Sequence, residues 1–166
     1  MMRKINKEYF RSALFGFEDA LVSTTGVVVG ISAGTSNVSF VVLAAIVTVI
    51  VEAFSMGAGE FMTEKSLQEL DRFRKFRTSK PSVGAVLMFF SYFSAGLIPI
   101  VPIFLFRYPY SAAASTVFAF IGLYLLGYVK GKVIGIPAVR SGFGILLVGG
   151  IATLAGLIVG LTLKTY

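Results

Sequence analysis

The sequence predicts an all-α polytopic membrane protein with five transmembrane helices, its N-terminus in the cytoplasm and its C-terminus on the opposite side. Three observations carry that expectation: long apolar runs, a shortage of charge, and basic residues confined to the gaps between runs. Of 166 residues, 56% are hydrophobic and 14% are charged, and the mean hydropathy is +0.86. Soluble domains carry closer to about a quarter charged residues. A span needs about 20 predominantly apolar residues, so a chain of this length has room for roughly four to six crossings.

The apolar runs cover about residues 12–33, 40–62, 83–106, 112–129 and 142–163. In hydrocarbon the backbone must satisfy its own hydrogen bonds, and segments this long do so as helices. The connections are TSNVS, a basic stretch over 63–82, the turn RYPYS, and KGKVIGIPAVRS. None is long enough for a soluble domain, so residues 1–166 are read as one transmembrane domain. The first run contains Glu18 and Asp19. The apolar stretch of a cleavable signal does not tolerate two acids, so this run is read as a retained helix.

Lysine and arginine set the orientation. Arg3, Lys4, Lys7 and Arg11 precede the first run, and Lys65, Arg72, Arg74, Lys75, Arg77 and Lys80 follow the second. Lys130, Lys132 and Arg140 follow the fourth. Only Arg107 and Lys164 fall on the other side, and the positive-inside rule then places the N-terminus in the cytoplasm. Tyr9 and Tyr128 near one boundary, with Tyr108, Tyr110 and Tyr166 near the other, make an interfacial belt in a chain without Trp. The net charge of +7 is therefore a topology signal, and no nucleic-acid partner is read from it. Cysteine and histidine are absent. Disulfides, zinc–thiolate sites and imidazole proton relays are excluded, and no permanently bound cofactor is expected.

Glycines recur four apart: Gly26, Gly30 and Gly34, then Gly127, Gly131 and Gly135, then Gly156 and Gly160. This spacing puts small residues on one helix face, where a neighbouring backbone can approach closely. Packing inside one subunit and assembly of two subunits through the first helix both fit it.

Four acids lie within spans: Glu18, Asp19, Glu52 and Glu60. An acid at the centre of a membrane helix costs about 2.5–3.5 kcal/mol on insertion scales. Such residues face protein, water or bound cations, and no basic residue inside these runs offers an ion pair. Glu52, Met56, Glu60 and Glu64 are spaced four apart, so they form a slowly winding stripe on one side of the second helix. Carboxylate oxygens suit Mg²⁺, Ca²⁺ and Mn²⁺, and a thioether shifts preference toward later metals such as Fe²⁺. Taken alone, Met56 also reads as core filler. In the third run Pro99 and Pro102 each remove a backbone donor, which predicts a kinked helix with freed carbonyls.

FGFEDALVSTTGVVVGISAG followed by VEAFSMGAGEFMTEKS resembles the vacuolar iron transporter family. The likeness rests on Asp19, Ala20 and Leu21 in the first helix and on Ser55, Met56, Gly57 and Gly59 in the second. A third helix that opens at Pro81 and carries paired prolines adds to it, and the resemblance spans nearly the whole chain. It implies five transmembrane helices, a homodimer, and exchange of cytosolic Fe²⁺ or Mn²⁺ for protons along a path close to the subunit interface. It also implies that Asp19 and Met56 are metal ligands. Two features depart from the family. Long-form members insert a metal-binding domain between the second and third helices, where this chain has only the 63–82 stretch. Plant members carry a glutamate two turns before the methionine; here that position is Thr48, and Glu52 lies one turn closer.

The function expected is a metal/proton antiporter in the lipid bilayer that exports Fe²⁺, and Mn²⁺, from the cytosol as transported substrates. Asp19 and Met56 are the mid-path ligands, and Glu52 and Glu18 are second ligands or proton carriers. Glu60 and Glu64, with Glu69 or Asp71, form the inner mouth. The membrane is the cell membrane in a prokaryote and the vacuolar membrane in a eukaryote. A passive divalent cation channel needs the same acids without proton coupling, and a non-transporting assembly protein needs none of them. An intramembrane aspartyl hydrolase requires two facing aspartates. Only Asp19 of the chain's two aspartates lies in a span, so no enzymatic activity is expected.

Overall fold

The computed structural model describes residues 7–70, 80–107 and 110–164. Among them are six helices: α1 (Lys7–Gly34), α2 (Val38–Leu70), α3 (Pro81–Gly96), α4 (Val101–Leu105), α5 (Tyr110–Ile134) and α6 (Ala138–Thr162). Five segments are long and apolar enough to cross a membrane, with α3 and α4 together forming the third, Pro81–Leu105. The distribution of apolar side chains is that of a protein solvated by lipid. On α2 a single stripe is buried, Val41, Ala45, Val49, Ala53 and Gly57. Phe40, Leu43, Val47, Ile50, Val51 and Phe54 of the same helix face outward.

The helices run further than the apolar runs that announce them. The 33 residues of α2 make a rod about 50 Å long at a rise of about 1.5 Å per residue, against a hydrocarbon core of about 30 Å. Its C-terminal turns, with Glu64, Lys65 and Glu69, therefore project beyond the bilayer. The KGKVIGIPAVRS connection is likewise mostly helical: α5 continues to Ile134 and α6 starts at Ala138. Between them Gly135 adopts a left-handed φ of 83°, and Gly135 and Ile136 both donate to the Gly131 carbonyl, closing α5 in the manner of a glycine C-cap. Lysines end an apolar pattern without ending a helix. Residues 71–79 of the basic stretch lie outside the described residues, and with them Asp71, Arg72, Arg74, Lys75 and Arg77, as do Arg3, Lys4, Tyr108 and Tyr166.

The third span is interrupted, as its prolines require. α3 stops at Gly96, and residues 97–100 form turns in which Ile98 donates to Ala95 and Val101 to Leu97. Ser115 of α5 donates its hydroxyl hydrogen to the carbonyl of Pro99. Both prolines are fully buried, so the break is a packed element of the bundle.

Small residues place α1 at the centre, where it packs on α2, α3, α5 and α6. Ser12, Gly16, Ala20 and Thr24 are buried at four-residue spacing. A Cβ on Gly16 would lie 2.8 Å from the Met88 carbonyl oxygen of α3. Gly26, Gly30 and Gly34 are offset from that stripe by about 200° of helical rotation and turn toward α6. There a Cβ on Gly30 would meet the Gly156 carbonyl oxygen at 2.7 Å, and one on Gly160 would meet the Gly30 oxygen at 1.8 Å. Gly127 and Gly131 of α5 meet Gly142 and Ala138 of α6 in the same way. Gly30, Gly34, Gly127, Gly131, Gly156 and Gly160 thus serve close packing within the chain, whereas Gly135 serves the turn.

Gly160→Ala should force α1 and α6 apart, because the obstructing atom is backbone. An overpacking penalty of about 1–3 kcal/mol is expected, read as a lower unfolding temperature of the purified protein in detergent. Gly150→Ala on the same helix has no atom within 4 Å of the new Cβ, and it should be neutral or slightly stabilising.

Candidate functional site

The polar residues of the bundle gather at two places, both hung on α1. The first is in mid-bundle, where α1, α2 and α3 each contribute one oxygen. Ser23 of α1 donates to Oε2 of Glu52 on α2 at 3.1 Å. Tyr92 of α3 donates to the same oxygen. The two hydroxyl oxygens are 2.5 Å apart, and either can be the donor between them. Tyr92 is completely buried and belongs to the core cluster of Ala20, Leu21, Ala53 and Leu123. A carboxylate at this depth therefore has hydroxyl partners in place of water, which keeps it from being an unsatisfied polar group.

Asp19 lies one turn before Ser23 on α1 and is half-buried. It has no hydrogen bond or ion pair among the described residues. Met56 follows Glu52 by one turn and packs against the same cluster, which holds Ala20 beside Asp19 and Ala53 beside Glu52. Glu18, half-buried, likewise has no hydrogen bond or ion pair among the described residues. No three acids converge on one point there. What the fold places in this region is Glu52 bonded to Ser23 and Tyr92, Asp19 one turn before Ser23 on α1, and Met56 packed against the cluster of Ala20 and Ala53.

The second gathering is at the end of the bundle that carries the N-terminus of α1. Arg11 reaches Glu60 and Glu64 of α2, with N–O distances of 3.1 Å to each. Ser12 donates to Glu60 at 2.5 Å. Glu64 is 2% exposed, whereas the Arg11 side chain is 56% exposed. The backbone N–H of Lys80 donates to the Tyr9 hydroxyl, tying the start of α3 to α1. The stripe Glu52–Met56–Glu60–Glu64 is thus divided: its first acid meets hydroxyls and its last two meet a guanidinium. An ion pair was not expected from runs drawn to begin at Ser12. It forms because α1 starts at Lys7 and includes Arg11.

Four contributors were not singled out from sequence: Arg11, Ser12, Ser23 and Tyr92. Ser23 carries a signal, since it stands four residues after Asp19 on one helix face. Tyr92 carries another: a tyrosine in mid-span, away from the interfaces where tyrosines concentrate, needs a buried partner for its hydroxyl. Ser23 also lines a groove of about 640 Å³ between α1 and α6, with Gly26, Gly30, Phe40, Ala152 and Gly156. The Glu52 cluster therefore adjoins an opening on the bundle surface.

With this geometry in view, comparison with known proteins identifies the kin of the chain. A relative in Arabidopsis thaliana described as vacuolar iron transporter homolog 3 is 24% identical over 157 residues, covering 87% of this chain and 78% of the relative. Vacuolar iron transporter homolog 2 of the same plant is 23% identical over 155 residues, covering 87% and 79%. The model of the VIT family matches residues 10–81 and 68–161, a range that contains both polar gatherings. The chain belongs to the VIT family.

Proposed function

We propose that this chain transports divalent metal, Fe²⁺ and also Mn²⁺, out of the cytosol in exchange for protons, as a homodimer. The observation that carries the reading is Glu52 held across helices by Ser23 and Tyr92 in a VIT-family chain, with Asp19 one turn before Ser23 on α1 and no basic side chain bonded to either acid among the described residues. Two carboxylates at such depth suit a guest cation. A carboxylate that holds a share of a divalent ion in one state and a proton in another is the minimum equipment for exchange. Met56 supplies a thioether beside the pair, Glu18 a further carboxylate on α1, and Glu60 and Glu64 the cytoplasmic mouth. The homodimer draws its support from the family resemblance. The basic end of the bundle is cytoplasmic in this reading, by the excess of Lys and Arg there.

Purified protein in liposomes should take up Mn²⁺, or Fe²⁺ under anaerobic conditions, faster when a proton gradient opposes the metal flow. Asp19→Asn should abolish that flux while the protein still elutes as the same folded species. Wild-type flux in a folded Asn variant would remove Asp19 from the path, and flux indifferent to the proton gradient would point to a passive channel.

At the mouth, a metal ion competes with Arg11 for Glu60 and Glu64. Arg11→Ala should therefore lower the metal concentration needed for half-maximal uptake. It should also lower the unfolding temperature, because a buried carboxylate stripped of its partner costs about 1–3 kcal/mol or more. Adding Glu64→Gln to Arg11→Ala should recover part of that stability.

Met56→Leu nearly conserves volume, so stability should fall by less than about 1.5 kcal/mol. If its sulfur is a ligand, Fe²⁺ transport should fall more than Mn²⁺ transport, by up to about tenfold for an interaction of about 1.4 kcal/mol. Anaerobic competition between the two metals in liposomes reads that ratio. A parallel fall for both metals would mean that Met56 shapes the path without coordinating.

A further inference from the structure

We infer that Tyr92, together with Ser23, is a specificity-determining positioning residue that restricts Glu52 to one-oxygen binding of the cargo and so disfavours large cations such as Ca²⁺. The inference rests on the reading of Glu52 as a cargo ligand. It adds a residue of α3, a helix that contributes none of the acids assigned above.

A carboxylate has two oxygens and binds a cation through one of them or through both. Ser23 and Tyr92 both donate to Oε2 of Glu52, and neither hydroxyl donates to Oε1. The two hydroxyl oxygens are also in hydrogen-bond contact with each other at 2.5 Å, so a hydroxyl hydrogen stays on Oε2 even when one donor turns to the other. One carboxylate oxygen is thereby engaged, and the second is left for a guest. Tyr92 is fully buried among Ala20, Leu21, Ala53 and Ala95, where dense packing denies the ring other orientations. Its hydroxyl is therefore a fixed feature of the site, as a flexible surface donor would not be.

Coordination chemistry converts that restriction into selectivity. Ca²⁺ takes about six to eight oxygens at about 2.3–2.6 Å and commonly fills its shell with bidentate carboxylates. Few ligands are available here: Asp19, Glu52 and Glu18 are the interior acids, and no three acids converge on one point among the described residues. A site with one carboxylate held to a single oxygen is short of donors for Ca²⁺. Smaller transition-metal ions need fewer oxygens and accept a mixed set that includes a thioether. Releasing Oε2 should remove part of the discrimination while leaving both carboxylates in place.

The test is Mn²⁺ uptake into liposomes by the purified full chain, with Ca²⁺ as competitor, for wild type, Ser23→Ala, Tyr92→Phe and the double variant. Tyr92→Phe keeps the ring and deletes only the hydroxyl. The Ca²⁺ concentration that halves Mn²⁺ uptake should fall by at least about threefold in Tyr92→Phe, and further in the double variant, as a second carboxylate oxygen becomes available. Ser23→Ala should move it in the same direction, and it decides the matter if Tyr92→Phe does not fold. An unchanged Ca²⁺-to-Mn²⁺ ratio in folded variants overturns the inference, even if total uptake drops. Glu52→Gln separates this failure from failure of the underlying reading. Wild-type uptake in Glu52→Gln removes Glu52 from the path altogether. Lost uptake in Glu52→Gln beside an unchanged ratio in Tyr92→Phe and Ser23→Ala retires only the role given to the hydroxyls.

Discussion

The close approach of α1 to α3 on one side and α6 on the other is the contact on which the rest of the bundle depends. It exists because α1 is thin on two faces: Ser12, Gly16, Ala20 and Thr24 along one, Gly26, Gly30 and Gly34 along the other. In lipid no hydrophobic force draws helices together, so association relies on packing and on polar contacts that small residues allow. With backbone meeting backbone, short side chains span the gap between helices. Ser12 and Ser23 reach acids on α2 that a larger separation would leave to water.

This close packing also decides how the acids are accommodated. Two solutions appear about two helical turns apart on α2. Glu52 is satisfied by neutral hydroxyls from α1 and α3, and Glu60 and Glu64 by the cation of Arg11. The difference follows from depth. Arg11 is long and more than half exposed, so its charged head keeps contact with solvent while it pairs with carboxylates that are nearly covered. Deeper in the membrane no such compromise is open to an arginine, and the partners there are Ser and Tyr, which carry no charge to bury.

How much of this was legible in the chain follows the same division. The five spans could be read because lipid imposes one rule on every residue of a long apolar run. Their ends could not. Hydropathy reports where the bilayer stops, whereas α2 and α5 continue on backbone hydrogen bonds that lysine and glutamate do not disturb. Asp19 and Glu52 stood out because an acid in hydrocarbon is costly on its own account. Tyr92 did not, because its importance lies in a contact with a residue forty positions earlier, and residue-by-residue periodicity carries no record of which helices become neighbours. The third-span break was foreseen from Pro99 and Pro102, but its satisfaction by Ser115 was another cross-helix pairing of that kind.

The contrast between the two polar gatherings bears on what each can do for a passing ion. Hydroxyl partners bring no opposing charge to a carboxylate, and hydrogen bonds to a charged group are worth about 1.5–3 kcal/mol each. Removing a guanidinium from two nearly covered carboxylates separates opposite charges, a cost that solvent contact at the half-exposed Arg11 reduces without abolishing. A divalent ion offsets that cost only if it supplies the charge that Arg11 withdraws. In the proposed transport reading, Glu60 and Glu64 would admit a cation in place of another cation, which suits an entrance that stays closed when metal is scarce. In the same proposed reading, Glu52 would hold an ion on the oxygen that its neutral hydrogen bonds leave open, which suits a resting point that the ion must also be able to leave. The difference in partner chemistry divides the acids of α2 into two held by a cation and one held by neutral hydroxyls, without any change in the type of acid used.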